Sequence, residues 1–104
     1  MSELWNLLDE LEAELRRLDH WSDVPPSREA LASTQPFAVD TLSLPEWLQW
    51  VYLQRLRALL EAGRELPSGA LVKPYAEEYF AQSQEPVGEL IVIIDRIDAQ
   101  LGRP

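Results

Sequence analysis

The sequence predicts an all-α fold, a compact four-helix domain or bundle with a long irregular connection between its first and second main helices. Two observations carry this. Three segments repeat apolar residues at helical spacing. Each of them is also bracketed by residues that start or stop helices.

The first segment places Leu4, Leu7, Leu8, Leu11, Leu15 and Leu18 three and four apart, with Ser2 as N-cap. Glu12 and Arg16 sit on its polar face at i,i+4 spacing, which suits a modest ion pair. The stripe is too short for a coiled coil. This helix is expected to end near His20 and Trp21, before Pro25-Pro26 forces an extended stretch. Ser27 can cap a turn or two over Arg28–Ala32, and Ser33-Thr34-Gln35-Pro36 breaks the chain again. The connection from Trp21 to Leu42 is long, and it is expected to wrap the core through Trp21, Leu31 and Phe37.

Ser43-Leu44-Pro45-Glu46 reads as a capping box. The helix behind it is apolar nearly all round from Trp47 to Leu53 and stops at Gly63 in the left-handed conformation. Leu66-Pro67-Ser68-Gly69 is a turn, and a short helix follows over Pro74–Gln82. Pro86 suits the first turn of a last helix, whose stripe is Leu90, Ile93, Ile94, Ile97 and Leu101, with Gly102 at its end. Residues 90–94 alone would also fit a buried strand. Continuation of the stripe at helical spacing decides for helix.

A length of 104 residues suits one domain spanning residues 1–104. Eighteen acidic residues against nine Lys and Arg give a formal charge of -9. The basic residues form no run longer than the pair Arg16-Arg17. That balance repels phosphate backbones and anionic membrane surfaces, so no direct nucleic-acid or membrane partner is expected. The chain has no cysteine, which excludes disulfides and thiolate metal sites. Its acidic beginning lacks the pattern of a signal peptide, and a cytoplasmic location is expected.

No catalytic constellation stands out, and no metal or cofactor site is expected. His20 is the sole histidine, too little for a triad or a histidine metal site. The carboxylates read as solvated helix faces. Two residues break the pattern. On a wheel of about 100° per residue, Arg55 falls in the middle of the arc formed by Leu44, Leu48, Val51, Tyr52 and Leu59. A guanidinium buried there needs a partner, because an unpaired buried charge is very costly. Asp40 is the favoured carboxylate, with Asp95 or Asp98 second. The pair is then a structural bridge or, alternatively, part of an anion site. Trp50 falls on the polar arc. It is either covered by the segment Pro36–Leu42 or exposed as an anchor for a partner.

Ser33-Thr34-Gln35-Pro36-Phe37-Ala38-Val39-Asp40-Thr41, then Leu44-Pro45-Glu46-Trp47-Leu48-Gln49-Trp50, then Leu53 and Arg55, form a distinctive block. It resembles the YqcC-like family, small bacterial helical proteins of unknown function. The similarity runs more weakly through His20-Trp21 and Pro74-Tyr75. The resemblance implies a compact four-helix domain and an association with tRNA pseudouridine synthase C. It supplies no catalytic or binding residues.

Two function classes follow. The first is a non-catalytic accessory module that binds a protein, a tRNA pseudouridine synthase C being the partner the resemblance suggests, through Gln35, Pro36, Phe37 and Trp50. The second is a small-ligand (anion) binding or enzymatic domain centred on Arg55. Arg55 sealed by Asp40, with an exposed apolar patch elsewhere, would favour the first, and an unfilled pocket reaching Arg55 the second.

Overall fold

A computed structural model describes residues 3–67 and 71–102. The expected N-cap Ser2 and the Ser68-Gly69 half of the expected turn lie outside the described residues. Helix α1 spans Glu3–Arg17 and α2 is a single turn, Arg28–Leu31. A short 3-10 turn follows at Pro36–Ala38. The central helix is continuous through α3 (Leu44–Trp47), a wide π-type turn (Leu48–Tyr52) and α4 (Leu53–Glu61). Helices α5 (Lys73–Tyr79) and α6 (Gly88–Gly102) complete the fold, and no strand occurs among the described residues. The four main helices are therefore α1, the central helix, α5 and α6, three of them the striped segments and α5 the expected short helix.

Helix α1 packs along α6 and against α4, and α5 lies on α6. The leucine stripe of α1 meets Leu90, Ile93, Ile94 and Ile97 of α6 and Leu44, Leu48, Leu53 and Leu56 of the central helix in one core cluster. Full burial of a leucine or isoleucine contributes about 1.5–3 kcal/mol, so this cluster is the main stabilising element.

The helix ends follow from local chemistry. Ser43 accepts from the Glu46 amide while the Glu46 carboxylate accepts from the Ser43 amide, at 3.2 and 2.8 Å, which is the expected capping box. Ser27 likewise accepts from the Ala30 amide. Gly63 adopts φ 66, and the Gly63 and Arg64 amides reach back to the Leu60 and Leu59 carbonyls, closing the central helix. Asp19, at φ 64, does the same for α1 through the Asp19 and His20 amides.

Hydrogen bonds at three long-range contacts hold the rest. Gln49, buried in the wide turn, accepts from the Ser22 amide at 2.9 Å and donates to the Ser22 carbonyl at 2.6 Å, pinning the start of the long connection. His20 Nε2 meets Glu85 Oε1, joining that connection to the segment before α6. Asp98, buried in α6, accepts from the Val72 and Lys73 amides at the beginning of α5. Of the three residues expected to press the connection onto the core, Trp21 and Phe37 do so. Leu31 does not: it stays exposed, because α2 is one turn long and buries none of its residues.

Candidate functional site

The wide turn decides what the central helix presents. A π-type turn takes in about one more residue than an α-turn. It rotates everything beyond Tyr52 relative to a uniform wheel. Trp47, Val51, Tyr52 and Arg55 thereby line one cavity. Pro36 and Phe37 of the 3-10 turn form another side, and Val72, just before α5, and Leu101 of α6 reach it. The cavity holds about 280 Å³. Among the described residues lining it, Arg55 carries the one charge.

Phe37 is held in an unusual backbone state. Its φ of 57 and ψ of 17 lie in the left-handed region, where a residue with a Cβ is strained by about 1–2 kcal/mol. Its ring is fixed from two directions. It stacks on Tyr75 with centroids 4.6 Å apart and meets Trp47 edge-on at 5.0 Å, and Trp47 in turn stacks on Tyr52 at 5.0 Å. Ring packing of this kind offsets the backbone strain.

The sequence-predicted residues are regrouped. Arg55 is exposed rather than core-facing, and its guanidinium makes no ion pair or hydrogen bond with another described residue. The expected Arg55–Asp40 bridge is therefore absent. Asp40 is exposed and accepts from the Ser33 hydroxyl at 2.5 Å. The second choices are engaged elsewhere, Asp98 at the Val72 and Lys73 amides and Asp95 near the Lys73 ammonium at 3.8 Å. The physical reason is the wide turn, which replaces Arg55 with Leu53 and Leu56 on the buried face. Gln35 and Pro36 are exposed, and Phe37 is half-buried. Phe37 meets Trp47, so Trp47 also packs beside the connection. A run of apolar residues at steps of four from Leu44 to Leu60 was the signal that could have found this.

Trp50 is half-buried, and its indole N–H is enclosed without a partner among the described residues. Losing the whole side chain and losing only the donor should then differ. Trp50→Ala is expected to cost about 2 kcal/mol, less than a fully buried tryptophan. Trp50→Phe is expected to cost under about 1 kcal/mol, since the unsatisfied donor goes too. Urea denaturation of both variants checks this, and equal losses would contradict it.

Several ionisable groups are tuned by their surroundings. Burial pushes the Glu12 carboxyl up, but hydrogen bonds from Arg57 and Arg16 outweigh it, leaving it below the usual range. Arg57 bridges Asp9 and Glu12 of α1 at 3.0 and 2.8 Å, while Arg16 pairs with Glu12 as expected and lies 4.6 Å over the Trp21 ring. A hydrogen bond from Arg17 lowers Glu14. Burial, and secondarily the Asp98 carboxylate, push the Tyr52 phenol well above its ordinary range, and its hydroxyl is enclosed without a partner.

A phenol whose pKa is raised by folding contributes stability that is fully present below the unfolded value, about 10. That stability is lost as pH rises towards the folded value. The urea midpoint is therefore expected to hold between about pH 7 and 9 and to fall above about pH 10. Tyr52→Phe should remove a large part of that fall. A midpoint of Tyr52→Phe that declines as steeply as the parent's would contradict the assignment.

Among the described residues no group of three or more His, Asp or Glu is placed to hold a metal ion, and no helix is long and apolar enough to cross a membrane. What the cavity can do chemically is bind: it offers apolar walls and one free guanidinium.

A family model described as tRNA pseudouridine synthase C matches residues 3–100. An uncharacterized protein of Haemophilus influenzae is 42% identical over 78 residues, covering 75% of this chain and 74% of that protein. A tRNA pseudouridine synthase C of Pectobacterium carotovorum subsp. carotovorum is 48% identical over 60 residues, 58% of this chain but 16% of that longer one. The solution NMR structure of protein YqcC from Escherichia coli superposes with a TM-score of 0.82 at 35% identity, covering 94% of this chain and 84% of that one.

Proposed function

This chain belongs to the YqcC-like family, and from that premise we propose that it is a non-catalytic accessory domain that binds a tRNA pseudouridine synthase C. The unsealed Arg55 beside an unfilled cavity supports the small-anion alternative, which is taken up below; one observation carries the accessory reading ahead of it. A protein named as that synthase contains a segment closely similar to 60 residues of this chain, and the segment is 16% of its length. The rest of that polypeptide lies outside the match. A segment that is joined to the rest of a synthase-named protein in one organism and makes up most of a small protein, YqcC, in Escherichia coli commonly works beside that synthase.

The charge supports the division of labour. With a formal charge of -9, the domain repels RNA and attracts a basic surface, such as that of an RNA-handling enzyme. The contact surface in this reading includes the exposed Gln35 and Pro36, with Phe37 behind them, and Trp50 as a further contact on the central helix.

The test is a titration of the purified chain into a separately purified tRNA pseudouridine synthase C by calorimetry. A 1:1 complex with Kd of about 10 μM or tighter is expected. The Gln35→Ala/Pro36→Ala double variant should weaken it while keeping its melting temperature. Labelled tRNA alone is expected to give no anisotropy change at physiological salt. Tight, steeply salt-dependent tRNA binding by the isolated chain, or no heat with the synthase at about 100 μM, would overturn the reading.

A further inference from the structure

We propose that the cavity between Phe37 and Arg55 is a binding site for a small carboxylate with an apolar body, an aryl or medium-chain alkyl acid. The inference is independent of the partner reading.

The size sets the first limit. A dry apolar cavity of about 150 Å³ accommodates benzene. A cavity of about 280 Å³ has room for roughly twice that, or about 10–14 non-hydrogen atoms. Trp47, Val51, Tyr52 and Val72 supply apolar walls, which favour an apolar ligand body. The lining is also rigid. Phe37 is clamped between Tyr75 and Trp47 in a backbone state that only dense packing sustains, and Trp47 is stacked on Tyr52.

The charge sets the second limit. Arg55 is the one charged side chain among the described lining residues. Its guanidinium is free of any ion pair or hydrogen bond with the described residues, although acidic residues outnumber basic ones two to one, 18 to 9. A free guanidinium beside an apolar recess fits a carboxylate bidentately while the body of the ligand enters the recess. A neutral ligand would leave Arg55 unused. A di- or trianion such as a phosphate would be repelled more strongly by the net charge of -9 than a monocarboxylate would.

The experiment is an NMR titration of the full chain with 2-naphthoate and with octanoate, with 2-naphthamide and acetate as controls. Shifts are expected at the Phe37, Trp47, Val51 and Val72 amides with both acids, and none with acetate. The amide should bind about tenfold or more weakly than naphthoate. Arg55→Gln, a surface change that should leave the melting temperature alone, is expected to weaken naphthoate by about tenfold or more without changing naphthamide. Arg55→Lys should recover part of the loss. Val51→Trp, which fills the recess, should abolish binding of every probe. If neither acid perturbs those amides at millimolar concentration, or if Arg55→Gln weakens acid and amide equally, the site is overturned. Synthase binding is not read in this titration, so its result leaves the partner reading separately testable.

Discussion

Asp98→Ala is expected to lower the unfolding free energy by about 3–4 kcal/mol, a large share of what a domain of this size possesses. The buried carboxylate accepts from the Val72 amide at 3.0 and 3.1 Å and from the Lys73 amide at 2.8 Å. Those donors open α5, whose first-turn amides have no partner within the helix. Hydrogen bonds to a charged acceptor contribute about 1.5–3 kcal/mol each, and alanine leaves the buried Val72 amide unsatisfied. The negative charge also lies at the favourable end of the helix dipole. Asp98→Asn keeps one acceptor oxygen and no charge, so it should lose roughly half as much. Because Val72 also lines the cavity, Asp98→Ala should broaden amide signals from Val72 to Tyr79 before global unfolding. Urea denaturation and hydrogen exchange of α5 check both parts. A loss under about 1 kcal/mol would mean that α5 holds itself in place.

Much of this fold is legible in the sequence because its signals are short-range. Ser43 and Glu46 mark a capping box three residues apart, and the structure forms it. Gly63 ends the central helix because a left-handed residue is needed there. The stripes of α1 and α6 are regular, and their leucines and isoleucines are buried, joined by the carboxylates Glu14 and Asp98. The site was less legible, for three physical reasons. A uniform wheel cannot anticipate the wide turn at Leu48–Tyr52, and that turn moves Arg55 from the core to the edge of a cavity. The partners of Asp98 and Gln49 lie 26 and 27 residues away, at backbone amides that carry no identity in sequence. Phe37 gives no hint of a left-handed backbone, because that state is imposed by Tyr75 and Trp47 around its ring.

The wide turn also predicts an asymmetry between two single-residue deletions. The central helix buries Leu44, Leu48, Tyr52 and Leu56 in steps of four, with Leu60 half-buried after them. In a plain α-helix each step of four overshoots by about 40°, so Leu44 and Leu60 would end about 160° apart. The extra residue in the turn rewinds the helix and keeps the stripe facing α1 and α6. Deleting Trp50 should convert the turn to α-helix while leaving Leu44 and Leu48 on one side, and Leu53 and Leu56 on the other, facing as before. The expected loss is about 2 kcal/mol, mainly the half-buried indole. Deleting Gln54, which is exposed, should be far worse. Every later residue moves back one place, so Leu56 turns outward and Arg57 enters its buried position. Arg57 then loses Asp9 and Glu12, and its charge is buried unpaired. The wide turn could absorb this deletion only by sending Leu53, now fully buried, to the exposed position. Either route costs about 4 kcal/mol or more, enough to unfold a marginal domain. Circular dichroism melting of the two deletions decides the matter. A cooperative melt for the Trp50 deletion and none for the Gln54 deletion is the expected pair of results. The reverse pair would mean that the helix register is not set at Leu48–Tyr52.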